Sequence, residues 1–282
     1  RMRFGQLAEV SMLDLRTYRD EQAALPGVDA TVSDPSRSIT GKKQMAWLKE
    51  SLTRGDHAPQ WKVIGNPVMI APVTFGDLPN DLIDPINDVT GILPGDGAPY
   101  NVDQWDGYTA DRTRLLDTIR RRDVDNVVFI TGDIHSSWAC DIPVDPARYP
   151  AAGTVATELV VPSVTSSNVD DILGVPEHTV GTAVPAAIMT ANRHVRWNDF
   201  DAHGYAVLTV TPASAQMDWY FVNEKTDEEL VYSMTKALFE NIGELQAIHP
   251  AANQITPESA VKTPIDLAPG AQRYYREIGA LD

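Results

Sequence analysis

The feature that most constrains the fold is one apolar run, NVVFIT at residues 126–131, closed by Gly132-Asp133-Ile134-His135. Consecutive β-branched and aromatic residues predict a strand buried on both faces, of the kind found inside a parallel sheet covered by helices. The flanking patterns agree. Residues 40–52 place Met45, Leu48 and Leu52 at helical spacing, with Thr40 as the expected N-cap and Gly55 as the stop. Residues 110–122 form a second amphipathic helix, with Leu115, Leu116 and Ile119 on one face. Residues 6–15 and 61–71 read as strands; the latter breaks at Gly65-Asn66-Pro67, since proline cannot donate to a ladder, and then resumes. Residues 158–161 add a short strand, and 205–211 with 216–222 form an antiparallel pair. Loops are expected over 21–38, 74–107 and 162–182. Beyond about residue 225 the style changes to helix-forming segments at 228–248 and 270–282. The pattern is a layered α/β domain over residues 1–225 and a helical C-terminal extension over 226–282.

Charge narrows the function. The 282 residues carry 23 Lys and Arg against 39 Asp and Glu, a net −16, which disfavours tracking a nucleic-acid backbone or docking on anionic lipid. The single cysteine, Cys140, excludes an intrachain disulfide and a thiolate metal cluster. No apolar run approaches the roughly 20 residues of a membrane-spanning helix. No signal peptide is visible, and an opening at Arg1 reads as a processed product or a fragment.

Chemistry concentrates at the turn after the apolar strand. Loops beyond strand C-termini collect ligands in α/β sheets. Asp133 offers hard oxygen and His135 borderline nitrogen, a pair suited to one mixed metal shell or to two metals clamping a phosphoryl group. Taken alone, a GDxH motif favours the plainer reading, an aspartate accepting turn amides and a histidine satisfied by a carbonyl. Asn66, at another strand end, is a further candidate ligand or simply a turn residue. His203, just before a strand in DAHGY, could donate a proton or lie on a surface loop. Arg112, a turn beyond Trp105-Asp106-Gly107-Tyr108, could bind phosphate or pair with Asp106.

Seven segments in order carry a resemblance: MLDLRTYRD (12–20), DPSRSITGKKQMAWL (34–48), WKVIGNPVMIAPV (61–73), QWDGYTADR (104–112), NVVFITGDIHSSW (126–138), TELVVPSVTSS (157–167) and DFDAHGYAVLTVTP (199–212). Over about residues 6–222 the chain resembles the C-terminal half of PhoD-type enzymes, the family of alkaline phosphatase D and the related actinobacterial metal-dependent phospholipase D. The resemblance implies a calcineurin-like metallophosphoesterase β-sandwich flanked by helices, incomplete in this chain. It also implies a mixed iron and calcium centre and a secreted or periplasmic location. Carried over by motif, Asp133 is a calcium ligand, His135 an iron ligand and Asn66 a further metal position. His203, by residue type and position, is the expected catalytic group; Arg16, Arg37 and Arg112 match recurrent family arginines and are expected to bind substrate. The family's N-terminal half, with its bridging aspartate and its Cys and Tyr iron ligands, has no counterpart upstream of residue 12; Cys140 is not equivalent to that Cys. Either a companion polypeptide completes the site or the molecule is not an active phosphatase.

Residues 231–282 resemble instead the C-terminus of TAXI-type solute-binding proteins of TRAP transporters, on Leu267-Ala268-Pro269-Gly270-Ala271 and the following YYRE. Two functions are therefore expected in competition. One is a phosphoesterase using metal-activated hydroxide on a phosphate ester or phospholipid. The other is a receptor for a small organic acid.

Overall fold

The computed structural model describes residues 1–23, 29–55, 58–74, 101–176, Thr179, 183–222, 228–248, 250–262 and 267–281. These residues divide into two compact units, Arg1–Phe221 and Val222–Asp282.

The first unit is built on a seven-stranded mixed sheet. Its strands are β1 (Met2–Phe4), β2 (Ala8–Met12), β3 (Trp61–Asn66), β4 (Val127–Thr131), β5 (Ser137–Pro143), β6 (Thr154–Val160) and β7 (Val195–Asp199), in the order β1-β2-β3-β4-β6-β5-β7. β2, β3, β4 and β6 run parallel; β1, β5 and β7 extend the two sides in antiparallel pairing. Register aligns Ile64, Phe129 and Glu158 side by side across the sheet. Period-two alternation puts Val127 and Phe129 on the main core and Val63, Val128 and Leu159 on the other face, where they too are buried. A strand inside a covered parallel sheet must be apolar on both sides, which is why NVVFIT is a continuous run.

Helices α1 (Asp29–Ser33), α2 (Lys42–Leu52), α3 (Thr109–Arg121), α4 (Val169–Leu173) and α5 (Ala183–Ala191) complete this layer. Leu48 and Leu52 of α2, Leu115, Leu116 and Ile119 of α3, and Val184 and Ile188 of α5 join the core under Phe129 and Trp138. A two-stranded sheet, β8 (His203–Val210) and β9 (Ala215–Val222), is tied on by indoles: Trp61 Nε1 donates to Thr211 O at 2.8 Å and Trp219 Nε1 to Val160 O at 2.9 Å. The α/β layering is as expected. The described residues show one large mixed sheet and this small one.

Several local expectations are corrected. Thr40 does not cap α2: Gly41 takes the N-cap position at φ 70°, and the Thr40 hydroxyl donates instead to Asp111 at 2.8 Å. The helix ends at Leu52 with Thr53 as C-cap, ahead of Gly55. The strand 61–71 does not resume after Pro67, because side chains claim the backbone that follows. Glu158 accepts from Ile70 and Ala71 N–H, Asp106 from Val73 N–H, and Asn192 from Thr74 N–H. The loop expected over 74–107 lies largely outside the described residues, at 75–100. α1 and α4 fall inside stretches read as loops, and β5, α5 and β7 carried no expectation.

The second unit contains α6 (Glu228–Glu240), α7 (Ile242–Ile248), α8 (Pro257–Ala260) and α9 (Pro269–Glu277). The helix expected over 228–248 breaks at Asn241, whose amide folds back onto Ala237 O at 2.7 Å. α6 and α9 pack through Phe239, Tyr274 and Tyr275. Gly270 is required there, since a Cβ would lie 2.2 Å from Glu228 O.

Candidate active site

The C-terminal ends of the parallel strands deliver the candidate chemistry to one edge, where open α/β sheets place their ligands. Residues 13–19 follow β2, 132–136 follow β4 and 161–168 follow β6.

The turn after β4 is strained. Asp133 and His135 adopt φ of 74° and 55°, left-handed values that cost a non-glycine residue about 1–2 kcal/mol each. Arg16 Nη2 donates to both Asp133 carboxylate oxygens at 3.1 Å, and its Nη1 donates to Asp103 Oδ2 at 2.6 Å. Arg19 Nη1 reaches the other oxygen of Asp103 at 2.6 Å. The result is an alternating ladder Asp133–Arg16–Asp103–Arg19. Burial works against the Asp103 charge, but hydrogen bonds from Arg19 and Arg16 outweigh it and hold the carboxyl below its usual range. Burial likewise lowers the Arg16 guanidinium, and the carboxylates of Asp103 and Asp133 more than reverse it. The Arg16 and Asp133 side chains are 43% and 44% exposed, so the rung between them is open to exchange with solvent or ligand.

The two histidines meet the segment after β6. His135 Nδ1 lies 2.9 Å from Ser167 O, which places its proton on Nδ1 and leaves Nε2 as an acceptor. His203 Nδ1 lies 3.3 Å from Ser163 O and its Nε2 3.0 Å from Asp171 Oδ2. Arg16, Asp133, His135 and His203 are thus drawn toward one edge, directly or through shared loop residues.

The remaining candidates are committed to the framework. Asn66 is buried; its Nδ2 donates to Val68 O at 2.6 Å and its Oδ1 accepts from Trp105 Nε1 at 3.1 Å. Its amide is thus tied to the framework, with the oxygen receiving the indole. Arg112, half-buried, is ion-paired to the buried Asp106. Arg37 donates to the carbonyls of Thr31, Gly107 and Glu21 and lies 4.6 Å over the Tyr108 ring. Neither offers a free guanidinium to a phosphate.

Iron and calcium do not fit a cage of these residues. Among the described residues no group of three His, Cys, Asp or Glu converges on a point. One carboxylate and one imidazole fall short of the four to eight donors such ions take. Among the described residues no helix is long and apolar enough to cross a membrane.

Asp103, Glu158 and Asp171 were missed by sequence reasoning. Only Asp171 had a local signal: Asn168 and Asp171 stand at capping-box spacing and do form the box that opens α4.

Comparison with known proteins covers the first unit. A family-wide sequence model for PhoD-like phosphatases matches residues 1–219. Alkaline phosphatase D of Bacillus subtilis (strain 168) is 30% identical over 220 residues, covering 77% of this chain and 33% of that protein. A solved structure of PhoD aligns with a TM-score of 0.58 at 28% identity, covering 77% of this chain and 40% of the other. The chain therefore spans about a third of the length of the curated relative it matches. The family match stops short of the C-terminal helices, so the expected solute-receptor resemblance of residues 231–282 finds no support, and neither does the organic-acid receptor drawn from it.

Proposed function

The chain belongs to the PhoD-like phosphatase family, and we propose on that premise that it carries part of the active site of a phosphoester hydrolase. The observation that carries the reading is the gathering of Arg16, Asp133, His135 and His203 at the C-terminal strand edge, inside the family-matched region.

Each group has a separate task. Arg16 is the phosphate-facing arginine: its Nη2 rung on Asp133 is solvent-open, so a phosphoryl oxygen can take the carboxylate's place. His203 holds a proton for the leaving alcohol. Asp133 and the bare Nε2 of His135 are this chain's donors toward a cation. With only those donors in place, further ones from another polypeptide are part of the proposal, as are iron, calcium and a secreted or periplasmic location. Phosphatase and phospholipase D activity both remain within it, since they differ in pocket shape and access.

The test is hydrolysis of nitrophenyl phosphate and phosphatidylcholine by the native material, this chain together with the polypeptide that completes its donor set, with iron and calcium supplied. The expected result is turnover of a phosphate ester that falls about 10²-fold or more in His203→Gln. Absence of any ester hydrolysis with both cations present, or equal turnover by Asp133→Asn, refutes the reading.

A further inference from the structure

We infer that Asp171 is a positioning residue for His203, fixing which ring nitrogen is left to meet a substrate oxygen; the inference rests on the reading of His203 as the proton donor. Two groups approach His203 Nε2: Asp171 Oδ2 at 3.0 Å and Asn168 Nδ2 at 3.5 Å. Asn168 Nδ2 is a donor that cannot accept a proton and already donates to Asp201 O, whereas the nearer Asp171 carboxylate is an acceptor, so a proton on Nε2 goes to the carboxylate. A bond to an ionised acceptor is roughly twice as strong as a neutral one, so Nε2 does not readily change partner.

Asp171 is itself immobilised. Its Oδ2 accepts from Asn168 N–H at 3.0 Å, while Asn168 Oδ1 accepts from Asp171 N–H at 2.8 Å. The carboxylate is built into the start of α4 and cannot swing away without undoing that turn. With Nε2 claimed, Nδ1 is the ring atom free to exchange. Its contact with Ser163 O, at 3.3 Å, is longer and to a neutral acceptor.

The same stretch sets His135 in the opposite sense. Ser167 O takes Nδ1 of that ring, and Ser163 Oγ stiffens the turn by accepting from Thr165 and Ser166 N–H at 3.1 and 2.6 Å. One turn after β6 thus presents Nε2 of His135 and Nδ1 of His203. Each ring is thus held at one nitrogen by its fixed partner and turns the other nitrogen to the site.

Long-range proton–nitrogen spectra of the full chain test the inference, with the ring assigned by His203→Gln. The parent should show His203 Nε2 protonated and hydrogen-bonded, with Nδ1 the nitrogen that responds to added inorganic phosphate. Asp171→Asn should alter the Nε2 signal and lower kcat on nitrophenyl phosphate about 10- to 100-fold, with KM within about twofold. Asp171→Glu keeps the charge and suits the capping box, but moves the carboxylate by a methylene; the same loss of kcat with an unchanged melting transition separates positioning from folding. His203 nitrogens identical in the parent and in whichever of these variants folds overturn the inference, whatever the activity. Altered nitrogens, where the parent with its completing polypeptide, iron and calcium hydrolyses no ester, uphold the placement and overturn the phosphoesterase reading instead.

Discussion

Glu158 should be among the most destabilising positions in the chain to truncate. Its carboxyl is fully buried on β6 and gathers the ends of β3 and β4. It accepts from Ala71 N–H at 2.7 Å, Ile70 N–H at 2.9 Å and the Thr131 hydroxyl at 2.7 Å, with Asn66 Nδ2 at 3.3 Å. Glu158→Ala strands two backbone amides that no water can reach. At about 1–3 kcal/mol for each buried unsatisfied donor, they cost about 2–6 kcal/mol. The Thr131 hydroxyl can rotate, and Asn66 Nδ2 keeps Val68 O at 2.6 Å, so neither adds a full penalty. Removing a buried charge returns part of the cost, leaving a net loss of about 2–4 kcal/mol. Glu158→Gln keeps one carbonyl oxygen for an amide and should lose about 1–2 kcal/mol. All six tryptophans, at 47, 61, 105, 138, 197 and 219, lie in the first unit, so their fluorescence in a urea titration reports on that unit alone. Burial raises the Glu158 carboxyl above its ordinary 4.5 despite the donors around it. The folded chain then holds this proton where the unfolded chain has lost it, so stability falls as pH climbs from 4.5 through the raised value. That slope should be absent in Glu158→Gln. A Glu158→Ala chain within about 0.5 kcal/mol of the parent, or a glutamine variant as damaged as the alanine one, refutes the account.

Arg112→Ala should leave the Asp106 carboxylate buried and unpaired, lowering stability by about 3–5 kcal/mol, and the lost activity should follow the unfolded fraction in a parallel melt and assay. Arg16→Ala removes exposed pairs only, so the urea midpoint should move by no more than about 1 kcal/mol while inorganic phosphate binding, read by calorimetry, weakens. Burial holds the His194 imidazole below its ordinary 6.5, so stability present above 6.5 should be lost as pH falls from there through the depressed value. His194→Gln, which can still donate to Pro72 O, should flatten that acid limb in melting temperature against pH. Gly107→Ala would bring a Cβ to 1.9 Å from Val102 O, and reduced yield of folded protein by gel filtration is the expected outcome.

The sequence by itself determined the elements whose pattern is local. NVVFIT is apolar on both faces because β4 is covered on both, α2 and α3 carry their core residues at helical spacing, and Asp133 and His135 sit beyond a strand end where ligands collect. β5 was legible but passed over: Trp138, Cys140 and Ile142 alternate along it and are buried. Tertiary structure alone decided which charged residues are free to act. Arg16, Arg37 and Arg112 look alike in the chain, yet Arg112 is spent on Asp106, Arg37 on three carbonyls, and only Arg16 faces the Asp133 turn. The partners of Arg16 stand 87 and 117 residues away, and those of Glu158 as far as 92. No periodicity encodes such separations; they exist only once parallel crossovers bring the strand ends side by side.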